Sequence, residues 1–270
     1  MGNPKICNEI VDIGAHEFPQ ESEPEPPEPN KPEPHSSKKS RHKKSNLVEL
    51  EPKLNKEDHF AYIIGYEDNT VRPENNITRG EVAAIFFRLL GPEYRETIKS
   101  YENNFTDVEP NIWCNKHIST LAKGNIILGY PDNTFKPNKY ITRAELAAIV
   151  SRFDKLEERE SSAFADVKGH WVEKYIDSAV EKGWINGYPD GTFKPDNFIK
   201  RAEVVNLINK VLGRKVRREN MLPNRKKYDD LYEDKWYYEA FEEAINSHIY
   251  ERLEDGSERW LELINPDIEM

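Results

Sequence analysis

The sequence is poor in several features that would point to particular chemistry. It holds two cysteines in 270 residues, Cys7 and Cys114, with no CxxC and no Cys/His ligand spacing. That argues against a structural zinc site and reads as two free thiols, so neither a metal nor a cofactor is expected. It has no run of about 18 apolar residues, the length a membrane-spanning helix needs, so membrane insertion is not expected. It lacks a basic excess: 39 Lys and Arg stand against 49 Asp and Glu, a formal net charge of −10. Without a basic face, non-specific nucleic-acid binding is not expected either. Residues 1–18 show neither a basic start before an apolar stretch nor a small-residue cleavage site. No carboxylate pair stands apart as an acid and a base would. No Asp-rich loop alternates ligands over about twelve residues as an EF-hand does. Catalysis within the chain is therefore not expected.

What the sequence has is self-similarity, which is settled before any residue is read for chemistry. Residues 65–81 read GYEDNTVRPENNITRGE, residues 129–145 GYPDNTFKPNKYITRAE, and residues 187–203 GYPDGTFKPDNFIKRAE. Gly65, Gly129 and Gly187 place the copies 64 and 58 residues apart. Each copy opens as a turn, in which Asp folds onto its own backbone and Gly or Asn accepts positive φ. Thr78 and Thr142 precede Glu81 and Glu145 by three residues, the spacing of a helix-starting capping box. Lys200 stands where the third threonine should be, which predicts a start weaker by about 1 kcal/mol. Beyond each Glu the apolar positions keep one helical stripe: Val82, Ile85, Phe86 and Leu89; Leu146, Ile149, Val150 and Phe153; Val204, Leu207, Ile208 and Val211. Three like stripes predict a small helical bundle.

A leading half precedes the second and third copies. It runs F-x-D-V, then Trp, then a helix: Asp107 with Trp113, and Asp166 with Trp171. Asn125 and Gly183 fall where a left-handed residue would end that helix. Asp230 and Trp236 repeat the pattern after the third copy, with His248 at the helix-ending position and no turn following. The first copy has no such lead. Burial of Phe241, Ala244 and Trp236 then predicts that the last half packs beside the first copy and closes the set. Residues 19–34 read as an acidic, proline-rich extended spacer and residues 36–45 as a solvated basic run. The last twenty residues read as irregular, acidic sequence. Expected boundaries are a linker over 1–53, the second half of the first repeat over 54–104, the second and third repeats over 105–160 and 161–215, a closing half-repeat over 216–250, and a tail over 251–270.

These residues resemble the S-layer homology (SLH) domain family, whose pattern is F-x-D-V, HW, GYPDGTF-x-P and ITRAE. The resemblance implies a mainly α fold: a pseudo-threefold assembly of helix–turn-loop–helix repeats behind a disordered N-terminal linker. It implies non-covalent anchoring of an exported protein to the bacterial cell wall, outside the cell, through an anionic and often pyruvylated secondary polysaccharide. It carries over as ligand-lining residues Arg79, Arg143 and Arg201; Asp107, Asp166 and Asp230; Trp113, Trp171 and Trp236; and Gly65, Gly129 and Gly187. The departures are Gly80 for Ala, Glu67 for the turn proline, Lys200 for Thr, and His before Trp only at His170. The chemistry agrees: Arg offers a planar fork to a carboxylate and Trp a flat face to a sugar ring. The competing readings are that each Arg pairs with neighbouring carboxylates and each Trp packs in the core. The partner expected is a wall polysaccharide, bound by a monomeric module. With a spacer but only one folded region, the chain reads as a fragment whose signal lies upstream. The alternative is the anchor of a surface enzyme or adhesin whose functional domain lies upstream.

Overall fold

The computed structural model describes residues 51–153 and 164–266. Cys7 and all but the last three residues of the expected linker lie outside the described residues. The described elements are α1 (Arg79–Leu89), α2 (Pro92–Ile98), α3 (Asn115–Lys123), α4 (Arg143–Ser151), α5 (Glu173–Glu181), α6 (Arg201–Leu212), α7 (Tyr238–Ile245), β1 (His248–Arg252) and β2 (Glu258–Leu263). The protein is mainly helical. No helix among the described residues is long and apolar enough to cross a membrane.

The helices start where the spacing predicts. Thr78 caps α1 and Thr142 caps α4, each accepting from the backbone of the Glu three residues on, while that Glu accepts from the threonine's own N–H at 2.8 and 3.0 Å. At α6 only half of this exchange survives. Glu203 accepts from Lys200 N at 2.9 Å, but a lysine side chain has no acceptor to return. The three apolar stripes are buried, with Phe153 half-buried. Asn125 and Gly183 take the left-handed conformation, at φ 54° and 69°.

Helix α1 packs on α3, α4 on α5, and α6 on α7. Each capped helix thus rests against the lead helix that follows it in the chain. The copies meet through their isoleucines: Ile77 N donates to Ile199 O (3.2 Å), Ile199 N to Ile141 O (3.2 Å), and Ile141 N to Ile77 O (3.0 Å), a closed cycle. One apolar core runs through all three copies. Buried Cys114 belongs to it, and burial pushes its thiol up to about 11, which makes it an unreactive core group.

The C-terminal half meets the first copy, but not as helix on helix. Helix α7 lies on α6. It reaches the start of the first copy through backbone, with Tyr62 N and Ile63 N both donating to Ala244 O at 3.0 Å. The tail departs further from expectation. Residues 248–263 form an antiparallel hairpin rather than irregular sequence, and Trp260 on β2 is 2% exposed. His248 opens β1 and is not among the positive-φ residues, so it pairs in a strand instead of ending a helix. The physical reason is alternation: Glu258 and Trp260 face inward while Arg259 and Leu261 face out.

Candidate functional site

The three arginines open α1, α4 and α6, and each points into the next copy. Arg79 Nε donates to Phe135 O (2.7 Å), Arg143 Nε to Phe193 O (2.8 Å), and Arg201 Nε to Val71 O (2.9 Å). Their guanidinium groups meet the capping glutamates of those copies: Arg79 with Glu145 (3.1 Å), Arg143 with Glu203 (3.1 Å), Arg201 with Glu81 (3.0 Å). Each glutamate therefore serves twice. One oxygen caps its own helix, and the other takes an arginine and the tyrosine that follows the turn glycine: Tyr66 on Glu81, Tyr130 on Glu145 (2.6 Å) and Tyr188 on Glu203 (3.5 Å). Burial pushes the Tyr66 hydroxyl up to about 12, which keeps it a donor to Glu81. Arg79 differs from its siblings. Its Nη1 lies off the hydrogen-bond direction to Glu145, so that contact is ionic rather than directed.

The aspartates sit on the far side of the same peptides. Asp107 accepts from Phe135 N and Lys136 N (both 2.7 Å), Asp166 from Phe193 N (3.0 Å) and Lys194 N (2.7 Å), and Asp230 from Val71 N (2.8 Å) and Arg72 N (2.7 Å). The second residue of each pair has positive φ: Lys136 58°, Lys194 57°, Arg72 48°. A carboxylate bridging two successive N–H groups offsets that strained turn. Burial raises the Asp166 carboxyl, but the N–H groups of Phe193 and Lys194 outweigh it and hold the group below its ordinary range. Arg and Asp thus grip one residue from its two ends: Arg79 and Asp107 hold Phe135, Arg143 and Asp166 hold Phe193, and Arg201 and Asp230 hold Val71.

The glycines admit an aromatic ring. A Cβ on Gly65 would stand 2.1 Å from the Tyr228 ring, on Gly187 2.1 Å from Phe164, and on Gly129 2.4 Å from Phe105. The ring in each case is the aromatic that opens a lead half, so the glycine joins turn to lead.

The tryptophans divide. Trp113 and Trp236 are 57% and 63% exposed, whereas Trp171 is half-buried against the core. A cavity of about 230 Å³ lies between copies, lined by Arg143, Trp184, Asn186, Glu203, Lys210 and Trp236 among others. Arg143 thus shares this cavity with Trp184 and Trp236, while Trp171 is not among its lining residues. The reason is the helix pairing: α7 lies on α6 and carries Trp236 over the junction with α4. Trp184 and Lys210 escaped the sequence reading. Trp184 follows the helix-ending Gly183, a position whose side chain differs between copies, and Lys210 lies on the polar face of α6. With Asn186 oriented to satisfy both ends of its amide, its oxygen accepts from Lys210 Nζ at 3.3 Å. The cavity therefore combines two indole side chains with Lys210 and with Arg143, whose guanidinium is paired with Glu203.

The family model for the S-layer homology domain matches residues 61–83, 104–147 and 163–205. A cellulosome-anchoring protein of Acetivibrio thermocellus is 38% identical over 214 residues, covering 77% of this chain and 47% of its own length. Cell surface glycoprotein 1 of the same organism is 37% identical over 219 residues, 77% of this chain and 9% of its own. An uncharacterized cell wall amidase of Bacillus anthracis is 32% identical over 148 residues, 53% of this chain and 27% of its own. The chain spans less than half the length of each of these relatives.

Proposed function

The chain carries tandem S-layer homology repeats, and we propose that it anchors an exported protein to the bacterial cell surface by binding an anionic wall polysaccharide. The observation that carries this is the inter-copy cavity, where exposed Trp236 and half-buried Trp184 stand beside Arg143 and Lys210. An indole that is 63% exposed contributes little to the core, and its flat face suits a sugar ring. The cations suit a carboxylate such as the ketal acid of a pyruvylated sugar. Relatives named for cellulosome anchoring and for the cell surface support the same reading.

Three arginine–glutamate pairs, three aspartate clamps and the isoleucine cycle support a pseudo-threefold assembly closed by residues 216–250. In it each ligand groove lies between copies, with Arg79, Arg143 and Arg201 at the base. Arginine is then both strut and charge, while the aspartates and glycines shape the turn that forms the wall. The grooves are unequal, because Trp171 is less exposed than Trp113 and Trp236. The similarity to a relative named as a cell wall amidase favours a second reading, in which these repeats anchor a surface enzyme.

The test is Trp236→Ala, with affinity for purified wall polysaccharide measured by titration. Truncating a central aromatic contact should cost on the order of 2 kcal/mol, about a 30-fold loss in affinity. Unchanged affinity in a folded variant would remove this cavity from the binding account.

A further inference from the structure

A cluster of buried polar side chains includes none of the residues lining the inter-copy cavity, and neither the repeats nor the anchoring account uses it. His59 precedes the first copy, Glu243 lies on α7, His248 opens β1 and Glu258 opens β2. Their exposures are 1, 1, 2 and 0%. One ligand atom from each falls within 4.8 Å of all the others. His59 Nδ1 is 3.1 Å from Glu243 Oε1, 3.3 Å from Glu258 Oε2 and 3.2 Å from His248 Nε2, and His248 Nε2 is 3.3 Å from Glu243 Oε1.

With both imidazoles neutral, protons alone do not satisfy this arrangement. His248 Nδ1 lies 2.8 Å from Asn246 O, so in the neutral ring its proton goes there and Nε2 presents a lone pair inward. A single proton on His59 Nδ1 faces three acceptors and points at one. Accordingly Glu243 Oε1 and both oxygens of Glu258 receive no directed hydrogen bond, although all are buried. Arg252 lies 2.7 Å from Glu258 Oε1 and balances part of its charge, from the outer side. Trp260 Nε1 donates to Glu243 Oε2 at 3.2 Å, which leaves Oε1 turned inward.

We propose that His59, Glu243, His248 and Glu258 form a four-ligand site for zinc or a similar divalent first-row ion. Ligand bonds of about 2.0–2.2 Å in a tetrahedron put neighbouring donors about 3.3–3.6 Å apart; four of the six separations here are 3.1–3.3 Å, and the other two are within 4.8 Å. Two imidazoles and two carboxylates suit such an ion. The contacts from Asn246 and Trp260 are the outer partners that fix a ligand's tautomer and direction. The His59 ring stacks on Tyr250 (3.8 Å) and the His248 ring on Trp260 (4.3 Å), so both are held in place. With four protein ligands and no exposed position the site is structural rather than catalytic. It joins residues 189 apart in the chain, pinning the start of the first copy to the C-terminal hairpin. A search for cysteine spacing does not reveal it, because its ligands are His and Glu brought together only by that closure.

The experiment uses the tag-free chain, stripped with a chelator and dialysed against metal-free buffer. Zn2+ is then added and bound metal and melting temperature are measured; Co2+ is added in parallel for its visible spectrum. The expected result is about one retained ion per chain, a raised melting temperature with Zn2+, and the intense bands of tetrahedral Co2+. Glu258→Gln and His248→Gln should abolish retention. If neither variant folds, the wild-type titration decides alone. Failure of the wild-type chain to retain either ion, or retention unchanged in folded Glu258→Gln, overturns the proposal and makes the cluster a charge network.

Discussion

Arg79→Ala is the sharpest perturbation of the inter-copy contacts. The side chain is 2% exposed, donates to Phe135 O, lies over the Tyr130 and Phe135 rings, and faces Glu145, itself 1% exposed. Breaking a buried pair from one side costs about 3–5 kcal/mol, because the other charge is stranded. Glu145 keeps two donors, Tyr130 Oη and Thr142 N, so the lower end, about 3 kcal/mol, is expected. For a folded region of this size that is a fall in melting temperature of roughly 6–12 °C. Arg79→Met combined with Glu145→Gln should recover most of it, since the charge goes and glutamine still serves the capping box. Arg143→Ala should cost less, because the Glu203 side chain is 26% exposed and can be hydrated. Thermal and urea melts followed by circular dichroism measure all three. A loss under about 1 kcal/mol for Arg79→Ala would show that the pair is not a strut.

Two further outcomes follow from the contacts. Truncation after Gly213 removes buried Phe241, Ile245 and Trp260, each contributing roughly 1.5–3 kcal/mol, together with the acceptor of Tyr62 N and Ile63 N. Hydrogen exchange should then show those two amides unprotected while the second copy retains protection; persistent protection at Tyr62 and Ile63 would contradict closure. The turn carboxylates Asp68, Asp132 and Asp190 are held low by Thr70, Thr134 and Thr192, Asp190 at about 2. Depressed groups stabilise the fold above their unfolded pKa of about 4 and stop doing so as pH falls through the folded value. The melting temperature should therefore drop between about pH 4 and pH 2 and drop less in Asp190→Asn.

Local signals were legible. Capping boxes at Thr78 and Thr142, stripes such as Val82, Ile85, Phe86 and Leu89, and the left-handed Asn125 and Gly183 all depend on residues within a few positions of one another. Contacts between copies were partly legible. The repeat placed each arginine at a helix start, but not the glutamate it meets, which lies 60 or more residues away in all three pairs. The hairpin was missed because its residues are charged overall. Its signal was Asp255-Gly256 flanked by alternating residues, with Gly256 at φ 76°. Trp236 lines the cavity of Arg143 because α7 rests on α6, and spacing along the chain does not say which helix a lead helix rests on.

The central claim is that a wall polymer, and not the peptidoglycan beneath it, is what these repeats hold. Co-sedimentation of the chain with purified cell walls, before and after extraction of the secondary polysaccharide, tests it most directly. The account predicts that the chain pellets with intact walls, stays in solution with extracted walls, and is released from intact walls by the free polysaccharide. Equal pelleting with both wall preparations, or none with either, would contradict it.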